Sequence, residues 1–195
     1  MTLTPTQASE SLKDIEATER RSAQVFSYAK SSPYFILWGV VWMAGYAASG
    51  AGGLGGPPHF AGPLWGALDV VGIAGSMVIG YRQNRGQPVD AEGRRTGARY
   101  FASLGVVVLF FIAAMSVIGP IAPIRQAAFF PLVIAMFYAI MGLWRGTRFL
   151  LAGLAVTVLT LFGFFWLKDF ALFCYWMAVV GGGALVLAGL WLRKV

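Results

Sequence analysis

Six long runs of apolar residues alternate with polar or glycine-rich connections along the chain. The runs occupy positions 34–50, 63–81, 100–118, 128–144, 149–167 and 170–192. Each holds about 17–23 residues, enough for an α-helix to cross a hydrocarbon core of roughly 30 Å. The runs lack the polar face that a helix on the surface of a water-soluble protein carries. The pattern predicts an all-α integral membrane protein built as a six-helix bundle.

The residues ahead of the first run form a polar, charged leader. Its apolar residues make only a thin stripe in a segment that otherwise has helix-forming composition. We therefore divide the chain into a helical leader over 1–32 and a transmembrane domain over 33–195. The leader helix is expected either to be solvated and continue towards the first span, or to dock on the bundle or on a partner.

The positive charges lie on alternate connections. All of the 15 Lys and Arg residues except Arg125 and Lys168 lie in the leader, before the third span, before the fifth span or at the C-terminal end. The positive-inside rule places those segments, and both termini, in the cytoplasm. The net charge of +7 is thus an orientation signal, with contact to anionic lipid as a second interpretation. We expect a multi-pass protein of a cell inner (plasma) membrane and no nucleic-acid partner.

The three inward-running spans end in similar sequences. These are Gly80-Tyr81-Arg82, Gly142-Leu143-Trp144-Arg145 and Gly189-Leu190-Trp191-Leu192-Arg193. The similarity suggests three helical hairpins, 34–81, 100–145 and 149–193. Interfacial aromatics followed by basic residues produce the same ends without any repeat. In helix number and size the chain resembles small six-helix bacterial inner-membrane proteins of the acid-resistance type, and that resemblance implies no residue role because no motif is shared.

Asp69 is the acidic residue that lies within a predicted span. A carboxylate at the bilayer centre costs about 2.5–3.5 kcal/mol on insertion scales, so Asp69 is expected to face protein or water. Ser76 falls on the same helical face, two turns further on. We hypothesise a ligand or proton site formed by Asp69 with Tyr46, Ser76 and Thr160. The alternative is a structural carboxyl that neighbouring helices satisfy.

Three consecutive glycines, Gly181, Gly182 and Gly183, interrupt the last span near its middle. They are a candidate hinge, with close helix packing as the alternative. Cys174 and His59 are the only cysteine and histidine, too few for a thiolate or imidazole metal site. Because the chain also lacks a recognisable nucleophile–base set, we expect no enzyme activity, catalytic residue, cofactor or metal.

Two classes of function fit these features. The first is a regulatory or accessory subunit of a membrane complex, or a membrane anchor, that holds a cytoplasmic partner through residues 1–32 or the 82–98 loop. The second is a small oligomeric transporter, channel or ligand/proton sensor that uses Asp69. The second class requires a homo-oligomer, since one buried acid in six short-looped spans offers only a thin polar pathway.

Overall fold

The computed structural model describes residues 5–53, 61–85, 91–119 and 121–194, which are helical apart from short connections and contain no strand. The helices are α1 (Pro5–Gly53), α2 (Ala61–Gln83), α3 (Ala91–Ile118), α4 (Pro123–Arg145), α5 (Thr147–Leu167), α6 (Phe170–Trp176), a π-helical segment (Met177–Gly182) and α7 (Gly183–Arg193). The all-helical class is therefore confirmed.

Five helical segments are long and apolar enough to cross a membrane. They are Ser11–Gly52, Gly62–Gln83, Pro123–Arg145, Thr147–Leu167 and Phe170–Arg193. The remaining predicted span lies in α3, whose described apolar part, Gly105–Ile118, is shorter than the 18 residues such a helix needs. The six-helix count is thus not confirmed, although a helix is present at every predicted span.

The leader and the first span form one continuous helix. α1 has 49 residues, so it is about 70 Å long at 1.5 Å per residue, more than twice the thickness of a hydrocarbon core. Pro33 lies inside α1, where it cannot donate a backbone hydrogen bond. The neighbouring Ser32 is fully buried, and its Oγ donates to the carbonyl oxygen of Gly189 at 2.6 Å. This bond ties α1 to α7 beside the proline.

α1 and the Phe170–Arg193 span approach each other through glycines. A Cβ on Gly39 would lie 2.9 Å from the carbonyl oxygen of Gly182, and a Cβ on Gly182 would lie 2.9 Å from the carbonyl oxygen of Gly39. At Gly189 a Cβ would lie 3.0 Å from the backbone of Ser32. Small residues allow backbones to approach this closely. The core beside this contact includes Phe35, Trp42, Tyr46, Phe149, Phe173, Met177, Leu185 and Leu192.

α4 and α5 form the second close pair. They are joined at Gly146, whose φ of 129° favours glycine. A Cβ on Gly153 of α5 would lie 2.5 Å from the carbonyl oxygen of Ala135 in α4. The two most extensive contacts, α1 with the last span and α4 with α5, join helices of different predicted hairpins, whereas α1 and α2 pack together within the predicted hairpin 34–81. The predicted three-hairpin repeat is therefore not confirmed.

α2 and α3 lie outside this core. Only 6% of the most apolar part of α2 is buried, and α2 packs extensively on α1 alone among the described helices. α3 meets α4 through Phe111, whose ring stacks on Phe130 with 3.8 Å between the centroids. Large apolar side chains such as Val106 and Val70 stay exposed on these helices. So much uncovered apolar surface is typical of helices that face lipid or a further protein.

Adjacent glycines of the last span should respond oppositely to the same substitution. Gly182→Ala places a methyl group against the backbone of α1, which costs about 1–3 kcal/mol of stability. Gly183→Ala enters open space, with nothing within 4 Å, and gains up to about 1 kcal/mol of helix propensity. We expect a lower thermal-unfolding midpoint in detergent for the first variant and an equal or higher one for the second. Equal midpoints for both would refute the close backbone contact.

Candidate functional site

α1 and α2 are joined by two reciprocal tryptophan contacts. In the first, the indole of Trp38 in α1 lies over Gly72 of α2, where a Cβ would sit 2.8 Å from Cη2 of the ring. The Nε1 of Trp38 donates a hydrogen bond to the Oγ of Ser76 at 3.3 Å. Ser76 is therefore a partner of α1, and its lone pairs satisfy an indole N–H that would otherwise lack an acceptor.

The second contact repeats the first with the helices exchanged. The indole of Trp65 in α2 lies over Gly45 of α1, where a Cβ would sit 2.6 Å from Cη2 of the ring. The Nε1 of Trp65 donates to the Oγ of Ser49 at 3.1 Å. Tyr46 also meets this indole edge to face, with 5.1 Å between the centroids of Tyr46 and Trp65 and an interplanar angle of 75°.

Both contacts come from one sequence pattern, which was not among the predicted site features. Each helix carries tryptophan, six residues, glycine, three residues, serine: Trp38, Gly45 and Ser49 in α1, and Trp65, Gly72 and Ser76 in α2. The glycine leaves space for the tryptophan ring of the antiparallel neighbouring helix. The serine one turn further on accepts a hydrogen bond from the indole N–H of that ring. The repeated spacing is visible in the sequence, but its meaning depends on the pairing of the two helices.

Asp69 lies in the α1–α2 interface between the two tryptophan contacts. It follows Trp65 by four residues and precedes Gly72 by three, so all three share one face of α2, the face that packs on α1. The side chain is partly buried. It makes neither a hydrogen bond nor a salt bridge with any residue that the structure describes.

The other two residues of the hypothesised site point to different neighbours. The hydroxyl of Tyr46 donates to the carbonyl oxygen of Ala127 in α4 at 2.8 Å. Thr160 of α5 is fully buried, and its Oγ1 has no hydrogen-bond partner among the described atoms. One turn further on, Gly163 faces the indole of Trp176. Asp69 and Ser76 thus lie on the face of α2 that packs on α1, and Tyr46 contacts Trp65 in the same interface. Thr160 is buried on α5, which does not pack extensively on α2 among the described helices.

The glycine triplet lies at the junction between the π-helical segment and α7. Gly181 and Gly182 end the π-helical segment, and Gly183 begins α7, so the backbone stays helical through the candidate hinge. π-helical turns are frequent at functional sites. Gly182 packs against Gly39 of α1, and Gly183 has open space around it. Bending at the triplet stays a prediction.

A cluster at the base of the leader holds α1 against α5 and α7. Tyr28 is buried, and its hydroxyl accepts a hydrogen bond from Nε2 of Gln24 at 2.9 Å. The guanidinium of Arg148 lies over the rings of Tyr28 and Trp191, 5.4 Å and 4.8 Å from their centroids. It also donates to the carbonyl oxygen of Trp191 at 2.7 Å. Arg148 thus caps the end of α7 with a charge that complements the helix dipole.

α2 is held to the same part of α1. Nζ of Lys30 donates to Oδ1 of Asn84 at 3.2 Å, and Nε2 of Gln83 donates to the carbonyl oxygen of Lys30 at 2.9 Å. We call the residues of these two contacts the collar; they are Gln24, Tyr28, Lys30, Gln83, Asn84, Arg148 and Trp191. The collar joins the part of α1 just before its apolar run to α5, α7 and the end of α2.

The described residues contain no group of three or more His, Cys, Asp or Glu side chains that could hold a metal ion. No protein-family model, curated protein or solved structure matches the chain. The features that bear on function are the α1–α2 interface, the collar and the projecting part of α1, whose described side chains over positions 11–19 are exposed.

Removing one serine hydroxyl from the α1–α2 interface should weaken the pair. Ser49→Ala and Ser76→Ala each leave an indole N–H without its acceptor, at a cost of about 0.5–1.5 kcal/mol. Ser103→Ala is the matched control, because its hydroxyl bonds the carbonyl oxygen of Arg99 within α3. Thermal unfolding in detergent should separate the first two variants from the control. A Ser49→Ala midpoint equal to that of Ser103→Ala would contradict the reciprocal contact.

Proposed function

We propose that this chain is a multi-pass inner-membrane protein that acts as an accessory subunit or anchor and holds a cytoplasmic partner through the projecting part of α1. The observation that carries the proposal is the continuity of α1. One helix of 49 residues links a membrane span to a segment whose described side chains over positions 11–19 are all exposed.

We include α3 as a sixth span. The helix has 28 residues, and positions 101–118 contain no charged residue, so its length and composition suit a membrane crossing. Six spans place both termini on one side of the membrane. Contacts between the basic segments of the chain support this arrangement. Lys30 contacts Asn84, next to Arg85, and Arg148 contacts the carbonyl oxygen of Lys194 at 3.4 Å. Positively charged ends gathered at one end of the helices fit a cytoplasmic orientation.

The exposed part of α1 has features of a docking helix. Leu12 is 61% exposed and Ile15 is 54% exposed, and they lie one turn apart on the same helical face. Phe26, 66% exposed, falls four turns after Leu12 on that face. Apolar anchors at this spacing on an otherwise charged helix suit a groove on a partner protein.

The collar supports the same function by restricting motion. Tyr28 and Lys30 fix α1 just before its span, so the leader is presented in one direction rather than as a flexible tail. A helix already ordered before binding loses less conformational entropy when the partner docks. The alternative partner site, the 82–98 loop, is helical from Ala91 onward, and its residues 86–90 lie outside the described part of the chain.

A second candidate function is favoured by Asp69 alone. An acidic side chain that makes no described polar contact inside a predicted span suits a small oligomeric transporter, channel or ligand/proton sensor. This function would use the α1–α2 interface rather than the leader, so the two proposals predict different sensitive residues.

Substitution of the apolar leader positions tests the docking proposal. The tagged chain would be purified in mild detergent from membranes of its own host, and co-purified proteins would be quantified by mass spectrometry. We expect a stoichiometric partner whose recovery falls at least fivefold in Leu12→Ser/Ile15→Ser. The double variant Ala17→Ser/Thr18→Ser changes neighbouring positions without removing the apolar stripe, and it should leave recovery unchanged.

A truncated chain that lacks residues 2–22 but keeps Gln24 and Tyr28 provides a second test. It preserves the collar, so the membrane domain should keep its thermal stability while the partner is lost. Full recovery of every co-purified protein with this truncation, or equal recovery in both double variants, would rule out the leader as the docking element.

A further inference from the structure

Asp69 has no counter-ion within the helix pair that contains it. Beyond Lys30, α1 holds neither Lys nor Arg, and α2 holds none before Arg82. Arg82 follows Asp69 by about 20 Å along the helix, and Lys30 contacts Asn84 at the same distant end. A carboxylate in a low-dielectric interface is strongly stabilised by a nearby cation. A cation that pairs with Asp69 therefore has to come from outside α1 and α2.

The positions on either side of Asp69 hold tryptophan rings. Trp65 lies one turn before Asp69 on α2, and the ring of Trp38 covers Gly72 one turn after it. Both indoles are partly exposed. In the α1 copy of the pattern, the position that corresponds to Asp69 is Trp42, which is buried. Indole faces attract cations more strongly than other aromatic side chains do. An acid between two accessible indoles is the chemistry that recognises an organic cation.

The same surroundings disfavour an inorganic cation. Mg²⁺ and Ca²⁺ require several oxygen ligands. Asp69 is the one carboxylate in the described part of α2, and Ser49 and Ser76 each direct a lone pair to an indole N–H. A monovalent cation whose charge is spread over apolar substituents needs no such oxygen cage and gains from contact with the indoles and with the exposed apolar surface of α2.

We propose that Asp69, Trp38 and Trp65 form a binding site for a lipophilic organic monocation, of the quaternary ammonium or phosphonium class, in the α1–α2 interface. The carboxylate neutralises the charge and the two indoles contact its substituents. The site does not include the leader, so an experiment that contradicts the partner-docking proposal leaves this one unaffected, and the reverse also holds.

Equilibrium dialysis of tetraphenylphosphonium against the full-length chain in nanodiscs tests the site. We expect saturable binding that weakens at least tenfold in Asp69→Asn. Asp169→Asn is the matched control: Asp169 caps α6 through the backbone N–H of Leu172, and asparagine caps a helix equally well. Its binding should equal that of the wild type. Quenching of tryptophan fluorescence by the bound cation should be lost in parallel.

Two further variants keep the test decisive if Asp69→Asn alters the fold. Asp69→Glu retains the charge and should bind within about threefold of the wild type, whereas Trp65→Leu retains Asp69 and should bind several-fold more weakly. Deletion of residues 2–22 should leave binding unchanged. Binding to the wild type no greater than to empty nanodiscs, or equal binding by the wild type and folded Asp69→Asn, would overturn the proposal.

Discussion

The backbone contact between α1 and the last span is the constraint on which the other helix positions depend. Gly39 and Gly182 approach too closely for a Cβ on either residue, and the bond from Ser32 to Gly189 fixes the register of the two helices. Because lipid offers no hydrophobic driving force between helices, such close packing and buried hydrogen bonds hold a membrane bundle together. α2 then packs on α1, and α5 packs on the last span.

The other helix pairs differ in how closely their backbones approach. α4 and α5 interlock through Gly153 and the single-residue connection at Gly146, as tightly as α1 and the last span. α2 is held to α1 through side chains, which include two indole rings and two serine hydroxyls. α3 meets α4 through Phe111. An interface made of side chains leaves more space than one made of backbone. The proposed cation site is therefore in the looser pair, while the glycine contacts give it a rigid support in α1.

Much of the fold was predictable from the sequence, because the length and continuity of apolar runs set where helices form. The pairing of helices was not. Similar ends such as Gly142-Leu143-Trp144-Arg145 suggested hairpins, yet aromatic residues followed by arginine are also expected at any water–membrane boundary. α4 pairs with α5 across the border between two predicted hairpins. For the candidate site, helical period alone placed Ser76 with Asp69. Thr160 was grouped with them without any means of knowing which face of α5 meets which helix.

The role of Arg148 illustrates what tertiary structure adds. Its charge and position indicated orientation, but its stacking on Tyr28 and its bond to the end of α7 depend on residues far away in the chain. Arg148 links Tyr28 of α1 to Trp191 of α7, and Lys30 links α1 to Asn84 just after α2. The proposed docking function depends on α1 remaining one continuous helix through Pro33, where one backbone hydrogen bond is absent.

A spin-label distance across Pro33 tests that continuity most directly. Labels on cysteines introduced at Ala17 and Val40, both exposed, in a Cys174→Ala background would report the separation by pulsed electron resonance in nanodiscs. A continuous helix predicts one narrow distribution centred near 35 Å, from about 1.5 Å per residue. A broad distribution, or one centred well below that distance, would contradict the account of α1 as a single rigid helix.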